Sequence, residues 1–124
     1  MSRSAESHED NQVFLRGRLA VLPAMRTLPS GDALAVFRLT VTRPPTERTR
    51  VDSIECASVR TRVHRTLAKA HLGDELELEG SLRRRFWRTP SGPASRYAVE
   101  VEAARLIRAG RRGGASADRM PASG

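Results

Sequence analysis

A chain of 124 residues has room for one domain with one modest core. Its 22 basic residues against 14 acidic ones give a formal charge of +8, and Lys69 is the only lysine. One cysteine excludes an internal disulfide framework and a multi-cysteine zinc site. No apolar run of about 18 residues is present, which excludes a transmembrane helix.

Residues 1–10 are polar and mixed in charge, without the apolar stretch of a secretory signal. They are expected to form a disordered lead-in to a cytoplasmic, nucleoid-associated protein that has no membrane partner. From Gln12 the pattern changes. Val13, Leu15, Gly17 and Leu19 alternate with Phe14, Arg16 and Arg18, which predicts a strand ended by Pro23. Gly17 marks a bulge or a close backbone approach. Leu28-Pro29-Ser30-Gly31-Asp32 is a turn by composition.

Ala33 to Thr42 reads as a second strand with Ala35, Phe37, Leu39 and Val41 on one face. Arg43-Pro44-Pro45 stops it, and a basic loop runs to Arg50. Val51 to Ser58 is a shorter strand in which Cys56 is a small buried residue. From Val59 to Leu72 the period becomes helical, with Val59, Val63, Leu67 and Ala70 on one stripe and Gly73 at its end.

Asp74 to Arg85 alternates again. Leu76, Leu78, Gly80 and Leu82 face one way, and Glu75, Glu77 and Glu79 form a solvated strand face rather than a catalytic cluster. Thr89 to Pro93 is a turn, and Arg96 to Ile107 a last strand. Residues 110–124, rich in Gly, Arg, Ala and Ser, are expected to be a disordered tail, leaving 11–109 as the domain. Three strands, a helix and two strands is the order of an all-β, five-stranded OB-fold Greek-key barrel with one helix between strands 3 and 4.

The densest chemical signal is Leu82-Arg83-Arg84-Arg85-Phe86-Trp87-Arg88, in a chain with 3 Phe, 1 Tyr and 1 Trp. Arginine attracts a phosphate backbone, and an aromatic face stacks a base. Strand alternation puts Phe86 and Trp87 on opposite faces, one packed inward and one outward. Trp87 is the candidate for the outward ring, and a Trp covering a barrel end is the alternative. Arg43, Arg48 and Arg50 cluster around the loop after strand 2, where DNA contact is favoured over solvation. Arg16 and Arg38 sit within strands and could line a groove. Arg60, Arg62 and Arg65 lie on the helix as a solubilising face. A high-GC genome is the alternative source for part of the arginine excess. His8, His64 and His71 form no metal-ligand motif, no glycine-rich phosphate loop follows a strand, and neither enzyme nor cofactor is expected.

The stretch from Asn11 to about Arg108 resembles the bacterial single-stranded DNA-binding proteins. Asn11-Gln12-Val13-Phe14-Leu15-Arg16-Gly17-Arg18-Leu19 looks like that family's first strand. Leu28-Pro29-Ser30-Gly31 is similar to its turn, Phe37-Arg38-Leu39-Thr40-Val41 to its second strand, and Gly73 to Trp87 to its basic, Trp-ended strand. The resemblance implies an OB-fold, usually a homotetramer, that wraps single-stranded DNA without strong sequence preference. It selects Trp87 as the stacking residue; the residues of the basic run, the loop and the strands, Arg83, Arg85, Arg88, Arg43, Arg48, Arg50, Arg16, Arg38 and Phe86, complete the candidate DNA-binding set.

Two departures stand out. The family's third-strand aromatics are missing from Asp52 to Val59, and the sequence ends Arg119-Met120-Pro121-Ala122-Ser123-Gly124 instead of in an acidic tail. Weaker binding with a larger electrostatic share is therefore expected. So is an accessory paralogue without tail-mediated repair partners. The competing expectations are an OB-fold RNA-binding protein and an assembly module that no longer binds DNA.

Overall fold

The computed structural model describes residues 9–46, 48 and 50–110. The expected disordered segments otherwise lie outside the described residues. The elements are β1 (Val13–Thr27), β2 (Ala33–Thr42), β3 (Val51–Ser58), α1 (Thr61–Ala68), β4 (Glu75–Thr89) and β5 (Gly92–Arg108). The strands close a barrel in the order β1-β2-β3-β5-β4, with the helix between β3 and β4, as an OB-fold requires. Closure is short: β3 meets β5 in parallel only at Cys56↔Val99 and Ala57↔Glu100.

The inward residues are those of the period-2 pattern. Leu19, Phe37, Leu39, Leu76, Leu78 and Val101 are buried, and α1 presses Val63 and Leu67 onto them. Cys56 belongs to this core, and burial pushes its thiol up to about 12. The helix is shorter than its apolar stripe, which continues to Ala70 beyond the helix end. The chain then turns through Gly73 at φ +89, where a side chain would be strained.

The buried Asp74 carboxylate fastens this turn. It accepts hydrogen bonds from the His71 backbone N–H at 2.8 Å and the Gly110 N–H at 2.7 Å, so the end of β5 is tied to the start of β4. Gly17 is a close approach: a Cβ there would lie 2.3 Å from the Thr40 carbonyl oxygen.

β1 does not end at Pro23. The register against β2 shifts between Val21 and Ala24, and a residue in such an irregularity need not donate to the ladder. β4 and β5 also run longer than their hydrophobic alternation. Beyond Leu82↔Val99 they pair only with each other, to Thr89↔Gly92. This two-stranded arm extends about 20 Å from Arg83 to Thr89.

Candidate nucleic-acid interface

The arm changes the fate of the two adjacent rings. Phe86 and Trp87 alternate as expected, but neither packs inward: Phe86 is 68% exposed and Trp87 40%. A side chain packs inward only where another layer lies behind the sheet, and the arm leaves the barrel. The expectation of one core ring assumed that β4 stays in the barrel wall to its end.

Trp87 faces a groove of about 610 Å³ between the arm and the barrel. Its floor is the outer surface of β2 and β3, with Val36, Glu55 and Ala57. Arg26, Thr27 and Leu28 form one rim, and Arg85, Phe86, Trp87 and Arg96 the other. The register Arg85↔Arg96 and Trp87↔Ala94 puts both arginines on Trp87's face. The Arg96 guanidinium carbon sits 5.1 Å from the centre of the Trp87 ring, a cation–π contact.

Glu55 organises the floor. It accepts a hydrogen bond from Arg96 Nη1 at 2.7 Å and lies 3.7 Å from Arg38 Nη2, while Arg38 Nη1 donates to Ser53 Oγ at 3.2 Å. A chain of polar contacts thus runs from Trp87 through Arg96 and Glu55 to Arg38. Arg83 shares the face and pairs with Glu100 at 3.1 Å. Arg85 and Arg88 meet no carboxylate among the described residues.

The other expected contacts are spread out. Arg43, Arg48 and Arg50 occupy the loop joining β2 to β3, about 23 Å along the strand from Val36 to Arg43. Arg43 forms a two-pronged pair with Asp52, its Nε 3.0 Å from Oδ2 and its Nη2 2.8 Å from Oδ1, and this holds the Asp52 carboxyl below its usual range. Arg48 and Arg50 are exposed.

Arg16 does not line the groove. It lies where β1 pairs with β4 and donates to Glu77 Oε2 at 2.7 Å. Glu77 also takes Arg105, and the two arginines hold its carboxyl below the usual range. On the acidic face of β4, Glu75 and Glu77 are therefore ion-paired, while Glu79 is exposed as expected.

Arg96 and Glu55 were missed in the sequence, and Arg96 was within reach. With Pro90-Ser91 as a two-residue turn, counting back from Thr89↔Gly92 puts Arg96 opposite Arg85. Glu55 carries no such signal, because its closeness to Arg96 depends on how the arm leans over β3.

Comparison with known proteins agrees with this architecture. The solved structure of the Plasmodium falciparum SSB complex with ssDNA matches with a TM-score of 0.65 at 23% identity, over 82% of this chain and 96% of that one. Residues 10–108 match the model of the single-strand binding protein family. The match takes in all five strands and the helix, and so the chain belongs to the single-strand binding protein family.

Proposed function

We propose that the protein binds single-stranded DNA without sequence preference and protects it during replication, recombination or repair, catalysing nothing itself. One observation carries this reading: the only Trp of the chain is half-exposed in a groove whose rim brings Arg85 and Arg96 to its face. The β2–β3 face and the loops beside it are the surfaces on which OB-folds bind oligonucleotides.

A base stacks on Trp87 in exchange with the Arg96 guanidinium. Stacking tolerates any base because every base has a π-face. The backbone lies along Arg83 and Arg85, with Arg88 near the tip of the arm, and continues past Arg38 toward Arg43, Arg48 and Arg50. Phosphates then compete with Glu55 for Arg96 and Arg38, and with Asp52 for Arg43. A phosphate that docks on these three arginines must displace a carboxylate, so binding is moderate and salt-sensitive.

We infer a homo-oligomer, a tetramer by likeness to the family, working in the cytoplasm at the nucleoid. The exposed Val21, Leu22 and Met25 along the second half of β1 support self-association. Light scattering at a multiple of 13.7 kDa is the expected result.

Intrinsic fluorescence titrated with oligo-dT, duplex DNA and oligo-U at two salt concentrations tests the function. Strong quenching by oligo-dT and little by duplex is expected, with log affinity falling by about 0.7 per phosphate contact for each unit of log salt. Tighter binding of oligo-U turns the reading toward RNA. Neither quenching nor a gel shift sinks it and leaves the assembly module.

A further inference from the structure

The side of the arm turned away from the groove is also built of rings and arginine. Register and alternation place Leu82, Arg84, Phe86 and Arg88 of β4 on that side, with Ser95 and Tyr97 of β5. Phe86 and Tyr97 are 68% and 61% exposed, and no third strand among the described residues covers them. The Arg84 guanidinium carbon is 5.1 Å from the Phe86 ring centre and 5.8 Å from that of Tyr97, and its Nε donates to Ser95 Oγ at 3.1 Å. One cation is thus fixed between two open rings.

Charge narrows what can cover this surface. From Ser81 to Val99 the sequence holds no Asp or Glu. Arg84 and Arg88 lie on this side, and Arg83, Arg85 and Arg96 on the other. A second copy of the arm would oppose arginine to arginine. A duplex buries its base faces and offers the rings nothing to stack on. Flat faces and negative charge spaced along one flexible chain belong to a single-stranded nucleic acid.

We propose that the Arg84–Phe86–Tyr97 surface is a second single-strand-binding face, engaged when a strand that fills the groove continues around the arm. This rests on the groove being a single-strand site. It deepens that reading by assigning Arg84 and Tyr97 to the interface and by making the occupied length depend on both faces. The short strand stacks on Trp87 in the groove; the long strand adds stacking on the far side of the arm at Phe86 and Tyr97.

The test uses the full chain with oligo-dT of about 6 and about 20 nucleotides, bracketing the range of OB-fold site sizes. The variant is Tyr97→Leu, which keeps apolar bulk and removes a flat face that lies outside the groove lining. Trp87 fluorescence reports the groove alone, because the chain has no other Trp. The expected result is unchanged affinity and quenching with the short oligomer. With the long one, affinity falls by about 5-fold or more and fewer nucleotides are covered per protomer at saturation.

An unchanged urea midpoint confirms that the exposed position does not carry the fold. Equal losses on both oligomers, or no loss on either, overturn the second face while the groove reading stands. A changed mass in light scattering overturns it in favour of a self-association surface. If the wild-type protein binds neither oligomer, the groove reading fails first and takes this one with it.

Discussion

Strand β4 serves two regions that use arginine in opposite ways. In its first half Glu75 and Glu77 face outward over buried Leu76 and Leu78, and both are claimed, with Arg108 3.5 Å from Glu75 and Arg16 and Arg105 on Glu77, while Glu79 lies exposed. In its second half the acids stop, the core residues stop, and Arg83, Arg84 and Arg85 follow on an arm with rings on both faces. Basic residues are abundant on the wall and on the arm alike. The proposed nucleic-acid surface is therefore marked by arginines set beside open rings, with Arg85 and Arg88 meeting no carboxylate among the described residues, not by the count of arginines. The wall should govern stability and the arm affinity, and substitutions can test that division.

The largest effect belongs to the wall. Gly80 sits at the register shift between β4 and β5, where a Cβ would lie 1.9 Å from the Glu100 backbone oxygen. Backbone cannot yield as a flexible side chain does, so Gly80→Ala is expected to cost about 3 kcal/mol or more, read from the urea midpoint. Next comes Trp87→Ala, with its weight on the other side of the division. Loss of one stacked base lowers oligo-dT affinity roughly 5- to 150-fold. The urea midpoint should stay within about 0.5 kcal/mol of wild type, as for other surface substitutions. A Trp87→Ala protein that unfolds easily would show that the ring closes the barrel end instead.

The barrel was legible because its signal is local. Alternation of Ala35, Phe37 and Leu39, or of Leu76 and Leu78, needs only the residues themselves, and every one of these is buried. The arm was not, because alternation cannot say where a sheet loses its neighbours. Leu82 continues the pattern of Leu76 and Leu78 yet is exposed, as β1 and β3 have no residues left to pair there. Tyr97 likewise continues the pattern of Val99 and Val101 and lies open. The candidate site was half legible for the same reason. Trp87 and Arg85 stand in one conspicuous run, whereas Glu55 and Arg96, 41 residues apart, meet only in the fold.

Two smaller effects separate attraction from restraint within the groove. Arg85→Gln removes a cation that meets no carboxylate among the described residues, and should flatten the log affinity–log salt slope by about 0.7. Between 50 and 200 mM salt the wild type then loses about 2.5-fold more affinity than the variant. Glu55→Gln should act in the other direction. It releases Arg96 and Arg38 from a carboxylate that phosphates must displace, so affinity rises and the slope steepens. A fall in affinity would mean that Glu55 positions Arg96 for binding rather than restraining it.

The smallest effect on binding is expected at Arg16, and it bears most directly on the division. Arg16 has the composition of a DNA contact and the geometry of a wall residue. Its hydrogen bond, with that of Arg105, lowers the Glu77 pKa in the folded protein. A carboxylate whose folded pKa lies below its unfolded value of about 4.3 adds stability that is present above that value and is lost as pH falls through the folded one. Arg16→Gln removes the first of the two partners, so the Glu77 pKa should rise part of the way back. The pair's share of stability then disappears at a higher pH during acid unfolding, which urea midpoints between pH 7 and 3 would detect. The oligo-dT salt slope should not change. If Arg16→Gln instead flattened that slope as much as Arg85→Gln does, phosphates would be reaching across the β1–β4 wall. A place in the β1–β4 wall would then no longer mark an arginine as structural.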